Sequence, residues 1–133
     1  EAAVRFLPGG PSNPHGANVE VKVIDPAANP YLATAAILGL ALDGIERELP
    51  LPPQITVDPA ELPADERQAA GITLLPESQA AALDALEKSA LLRRILGDQV
   101  VEAVVAVRRY EQDTYGGWAP EELADRFRLA WSV

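Results

Sequence analysis

The chain has 133 residues and is 48% hydrophobic, which suffices for one core in a domain that buries about two-thirds of its unfolded surface. Twenty acidic residues against 11 basic ones give a formal charge of −9, which opposes broad binding to nucleic acid or an anionic membrane, since both reward clustered Lys and Arg. The absence of cysteine excludes a disulfide framework and thiolate chemistry, and fits a reducing cytoplasm. The longest apolar segment, Tyr31 to Leu42, falls short of the roughly 20 residues that span a bilayer, so a soluble, cytoplasmic protein is expected. The chain opens at Glu1 directly in strand-like "AAVRFLP", which reads as part of something longer.

Val4 and Phe6 alternate with Arg5, and Val19, Val21 and Val23 alternate with Glu20 and Lys22. This period of two predicts two short strands, each with one apolar face. Between them "PGGPSNPHGA" is a turn-rich connection. A hairpin over about residues 2–24 follows, with Arg5, Asn18, Glu20 and Lys22 on its polar face.

Asn29 is then a natural N-cap, with Pro30 at the first helical position. The helix beginning there carries Ala, Leu, Ile, Gly or Tyr at nearly every position to Ile45, so it lacks a wide polar face and should be buried on most sides. Five prolines between residues 46 and 75 (Pro50, Pro52, Pro53, Pro59 and Pro63) predict a long irregular connection, functional or surface-wrapping in character. A helix is expected after Ser78 with Leu83 and Leu86 inward, and a short one after Ser89, through Leu91, Leu92 and Ile95, ending at Gly97. A third is expected to be capped by Asp98, with Val100, Val101, Val104, Val107 and Tyr110 as its apolar stripe. Pro120, Glu121 and Glu122 open a last helix whose Leu123, Phe127, Ala130 and Trp131 follow helical spacing. The fold class expected is mainly α with a small antiparallel β-hairpin (α+β), in a single domain over 1–133 with its helical part at about 29–133.

The hairpin's polar face is the only concentrated candidate for chemistry, with one arginine, one lysine and one glutamate beside an asparagine. A carboxylate suits a hard divalent cation, and neighbouring Arg and Lys suit phosphate or carboxylate, so the combination fits a nucleotide and metal site; a solvated face with a Lys-Glu pair is the plain alternative. His15 has no partner at ligand spacing and reads as a surface residue. "PGGPSNPHG" lacks the pattern of a phosphate-binding glycine loop. Arg93, Arg94, Arg108 and Arg109 read as solvated helix surface near acids, and Trp118 and Trp131 as packing anchors.

At "EVKVIDPAANPYLATAAILGLALDGI" the chain resembles the C-terminal part of the glutamine synthetase catalytic domain. The family pattern there is a charged strand, Asp-Pro-(Ala/Ser)-Ala-Asn-Pro-Tyr-Leu, then an Ala-rich helix ending in Leu-Asp-Gly-Ile. "LPESQAAALDALEKS" and the closing "WSV" resemble later segments of that family. The resemblance implies an ATP-dependent ligase joining the γ-carboxyl of glutamate to ammonia or an amine through a γ-glutamyl phosphate, with magnesium or manganese neutralising the transferring phosphoryl group.

Carried over position by position, Arg5 matches the nucleotide-phosphate arginine and Glu20 the metal-ligating glutamate. Lys22 falls at a catalytic position where the family has an arginine contacting glutamate or phosphoryl oxygen, and Asn18 where another nucleotide-side arginine is usual. Lysine keeps the charge and loses the planar fork, and Asn18 removes one positive charge; together they favour a paralogue using an amine larger than ammonia. One carboxylate cannot complete a magnesium site, so the 133-residue chain is expected to be inactive alone, with the remainder of a parent chain supplying the other ligands. Unpaired strand edges predict self-association; the resemblance implies a homo-oligomeric parent, whose ring interfaces draw on an N-terminal region and do not define the assembly of this chain. The rival reading is a non-catalytic helical scaffold from the same family, which loss of the upstream metal glutamates and histidine would support.

Overall fold

The computed structural model describes residues 3–130, in two compact units, Glu1–Leu75 and Pro76–Val133. The fold class is the expected one, mainly α with a small antiparallel hairpin: six α-helices, one more than expected, and a two-stranded antiparallel sheet occur among the described residues. The "WSV" end, with Trp131, lies outside them. No described helix is long and apolar enough to cross a membrane.

In the first unit, β1 (Val4–Leu7) pairs with β2 (Asn18–Val21) in the register Val4 to Val21, Arg5 to Glu20, Phe6 to Val19 and Leu7 to Asn18. The connecting loop is held by the Asn13 side-chain amide, which donates to the carbonyls of Pro8 (3.2 Å) and Gly16 (2.7 Å). Gly16 closes it at φ +94°, a conformation that costs little only in glycine.

Helix α1 (Pro30–Glu46) starts where the sequence places it: the Asn29 side-chain oxygen accepts from the amides of Tyr31 (3.0 Å) and Leu32 (3.2 Å). Its burial differs from expectation. Tyr31 is 83% and Ile45 73% exposed, and among its described residues only Asp43 is buried. Burying a 17-residue helix on most sides needs apolar surface of comparable length, and two four-residue strands do not offer it.

The expected irregular connection over 46–75 is also corrected, because a 3-10 turn (Pro59–Glu61) and the short helix α2 (Ala64–Ala69) lie inside it. Proline is compatible with a first turn. Asp58 caps the 3-10 turn through its carboxylate and the Ala60 amide (2.9 Å), the same device as Asn29 with Pro30. That amide is the main cause holding the Asp58 carboxyl below its ordinary 3.8.

The second unit holds the described apolar core. Helices α3 (Gln79–Lys88), α4 (Ala90–Leu96) and α5 (Asp98–Tyr115) pack so that Leu83, Val101 and Val105 are buried, with Leu86 and Leu96 against them. Ser78 and Ser89 cap α3 and α4 as expected, accepting from Ala81 and Leu92 (3.2 Å each). Asp98 does not cap α5. Gly97 holds that position at φ +85°, and Asp98 is the first helical residue, where it accepts from Arg93 Nη1 at 2.9 Å.

The apolar stripe of α5 is shifted as well: Val101 and Val105 face the core, while Val107 and Tyr110 are exposed. Val107 follows Val101 by six residues, about 240° farther round the helix. Arginines clamp the helices from outside, Arg109 to Asp84 (2.6 Å) and Glu87 (2.9 Å), and Arg93 to Asp98 (2.9 Å) and Glu102 (3.6 Å). Helix α6 (Pro120–Phe127) begins with Glu122 accepting from the Ala119 amide (3.1 Å). Tyr115 meets Trp118 and Phe127 edge to face, ring centroids 5.1 Å apart in each pair.

Candidate functional site

Antiparallel pairing fixes which side chains share a face of the hairpin. Arg5 stands directly opposite Glu20, and Asn18, two residues before Glu20, projects to the same side. Lys22 lies one residue past β2, yet its amide donates to the Ala3 carbonyl at 2.9 Å, continuing the ladder and keeping Lys22 in the same alternation. Val4, Phe6, Val19 and Val21 occupy the opposite face. The four residues singled out in the sequence therefore lie on one side of one small sheet.

Arg5 and Glu20 are joined directly. Arg5 Nε donates to Glu20 Oε2 (2.9 Å) and Nη2 to Oε1 (2.9 Å), with Nη2 also 2.7 Å from Oε2. This is the two-pronged geometry in which a planar guanidinium binds a carboxylate. Both side chains remain accessible, at 54% and 40% exposure. Register brings Arg5 to the Glu20 carboxylate.

The route from this face to α1 is short for a physical reason. Asp25 accepts from the Ala27 amide through its side chain (2.7 Å) and from the Ala28 amide through its carbonyl (2.9 Å), which turns the chain within three residues. Asn29 then caps α1. "DPAANP" is thus two side-chain-capped turns in succession, and it sets the charged strand immediately ahead of the helix.

At the far end of α1, Asp43 is 7% exposed and its Oδ2 accepts from Arg47 Nη1 at 3.1 Å. A buried carboxylate needs such compensation. This acid belongs to "LDGI", where the structure buries the carboxylate and exposes its apolar neighbours Leu42 and Ile45, the reverse of what residue type suggests. His15 is exposed in the hairpin loop, as expected.

No group of three or more His, Cys, Asp or Glu that would hold a metal ion occurs among the described residues. Glu20 offers two hard oxygens where magnesium takes six donors. The donor chemistry of Glu20 fits such an ion, to which it would be one ligand among several.

The family model described as "Glutamine synthetase, catalytic domain" matches residues 1–123. The gamma-glutamylpolyamine synthetase GlnA3 of Streptomyces coelicolor is 38% identical over 129 residues, covering 96% of this chain and 28% of the relative. A glutamine synthetase of Staphylococcus aureus is 35% identical over 109 residues, covering 82% of this chain and 24% of the relative. The chain belongs to the glutamine synthetase family and corresponds to the C-terminal part of the catalytic domain. It spans about a quarter of the length of the curated relatives it matches.

Proposed function

We propose that residues 1–133 form one portion of the catalytic domain of an ATP-dependent ligase. Its reaction joins the γ-carboxyl of glutamate to ammonia or an amine through a γ-glutamyl phosphate, and an amine larger than ammonia is the reading we favour. The observation that carries the proposal is the polar hairpin face, where a phosphate-type arginine and a metal-type glutamate stand directly opposite each other. The similarity to a gamma-glutamylpolyamine synthetase supports the choice of amine.

In this reading Glu20 supplies one oxygen ligand to magnesium or manganese, and Arg5 holds a nucleotide phosphate through its fork. Asn18 donates an uncharged amide on the nucleotide side. Lys22 offers a compact positive charge to substrate carboxylate or phosphoryl oxygen in place of a planar fork. The metal, when bound, supplies neutralisation of phosphoryl charge. The remaining ligands come from the rest of a longer parent chain, in a cytoplasmic homo-oligomer.

The test is calorimetric titration of the full-length protein with ATP, magnesium, glutamate and a panel of amines, together with amine-dependent phosphate release. Glutamate-dependent ATP turnover that rises more with a polyamine than with ammonium is expected. Lys22→Arg should shift that preference toward ammonium. ATP turnover indifferent to glutamate would overturn the ligase reading.

A further inference from the structure

The two residues assigned to metal and to phosphate hold each other. Both oxygens of Glu20 accept hydrogen bonds from the Arg5 fork at 2.9 Å. A divalent cation approaching either oxygen meets a guanidinium charge a few ångströms away. Arg5, for its part, presents to Glu20 the donors Nε and Nη2, the same planar fork that would grip a phosphate. Neither residue can serve its proposed ligand fully while the pair is closed. Both side chains are partly exposed, and an exposed ion pair contributes little, so the pair opens at small cost.

We infer that the Arg5–Glu20 pair is an exchange latch: a nucleotide phosphate draws Arg5 away and frees Glu20 for the metal, and metal binding at Glu20 releases Arg5 for phosphate. The inference rests on the ligase reading above and adds to it an interdependence of the two ligands. By linkage each ligand then raises the affinity for the other by the same factor. In the absence of nucleotide the latch keeps affinity for the metal low.

The test measures Mn2+ affinity of the full-length protein without nucleotide, by electron paramagnetic resonance. Arg5→Gln should tighten Mn2+ binding about two- to fivefold, the range an exposed pair can supply. Arg5→Lys keeps the charge but loses the two-pronged grip, and should tighten it in the same direction. Conversely, Glu20→Gln should tighten metal-free ATP binding, measured in chelator, over a similar range while weakening Mn2+.

Unchanged or weaker Mn2+ affinity in both Arg5 variants overturns the latch. Tightening in Arg5→Gln with none in Arg5→Lys also overturns it, since removal of a charge would then explain the whole effect. If Glu20→Gln weakens Mn2+ binding while the Arg5 variants do nothing, only the latch falls. If Glu20→Gln leaves Mn2+ binding intact, Glu20 is not a ligand, and the site reading falls with the latch.

Discussion

Val101 is 1% exposed and Val107, six residues on in the same helix, is 55% exposed, so one substitution made at both sites isolates burial from helix propensity. Val→Ala removes two methyl groups. At about 0.8 kcal/mol for each carbon withdrawn from the core, Val101→Ala loses about 1.6 kcal/mol of transfer energy. Incomplete collapse of Leu83, Val105, Leu86 and Leu96 around the gap adds about 1 kcal/mol, for a total near 2.5 kcal/mol. In urea, with a slope of about 2 kcal/mol per molar, the midpoint falls by about 1 M. Val107→Ala leaves stability within about 0.5 kcal/mol, and alanine's better helix propensity works in its favour. The assay is urea unfolding of the 133-residue chain followed by circular dichroism at 222 nm. Equal midpoints for the two variants would show that α5 does not present Val101 and Val105 to a core, and the packing described for the second unit would be wrong.

Three further outcomes follow from named contacts. Asn29→Ala should lower helicity and cost about 1 kcal/mol by stripping acceptors from the Tyr31 and Leu32 amides, whereas Asn29→Ser should retain most of it; both are read by circular dichroism and unfolding. Gly97→Ala forces a side chain onto φ +85° and should destabilise the second unit by about 1–3 kcal/mol, measured against Ala90→Gly as a control of opposite sense in α4. The hydrogen bond from Arg109 is the main cause holding the Asp84 carboxyl below its ordinary 3.8. Its contribution to stability is therefore complete above about pH 4 and is lost as pH falls through the lower folded-state value. Midpoints recorded from pH 6 to pH 2 should show an acid-side decline that is shallower in Asp84→Asn.

The parts of the fold that were legible in the sequence are those set by local chemistry. Asn29 before Pro30, Ser78 and Ser89 each announce a helix start because one short side chain satisfies one or two orphan amides, and period-two alternation identified both strands. The same logic applied to Asp58 before Pro59 would have found the 3-10 turn, but the density of prolines read as a barrier to regular structure. Gly97 displaced Asp98 from the cap because its positive φ turns the chain between α4 and α5, a demand no composition rule reveals. Burial was the least legible property. An apolar helix states that it needs a partner, and the exposed Leu38, Leu42 and Ile45 of α1 show that the two short strands of its own unit do not supply one.

The candidate site divides in the same way. Alternation placed Arg5, Asn18, Glu20 and Lys22 on one face, yet alternation fixes only parity; the register that sets Arg5 opposite Glu20 depends on the ten-residue connection of residues 8–17 and on Asn13 bracing it. Chemistry and stability then sit in different units. The buried apolar cluster belongs to the helices after Pro76, whereas the proposed ligands stand on a two-stranded ribbon of a kind that is marginal in water without further packing. The other face of that ribbon exposes Val4, Phe6 and Val19, and α1 exposes Leu38, Leu42 and Ile45. Ligand geometry must be held to a fraction of an ångström for phosphoryl transfer, and an uncovered ribbon does not hold it so. The exposed apolar residues of the ribbon and of α1, together with the one carboxylate on the polar face, are the packing and ligand positions that the proposed parent ligase would complete.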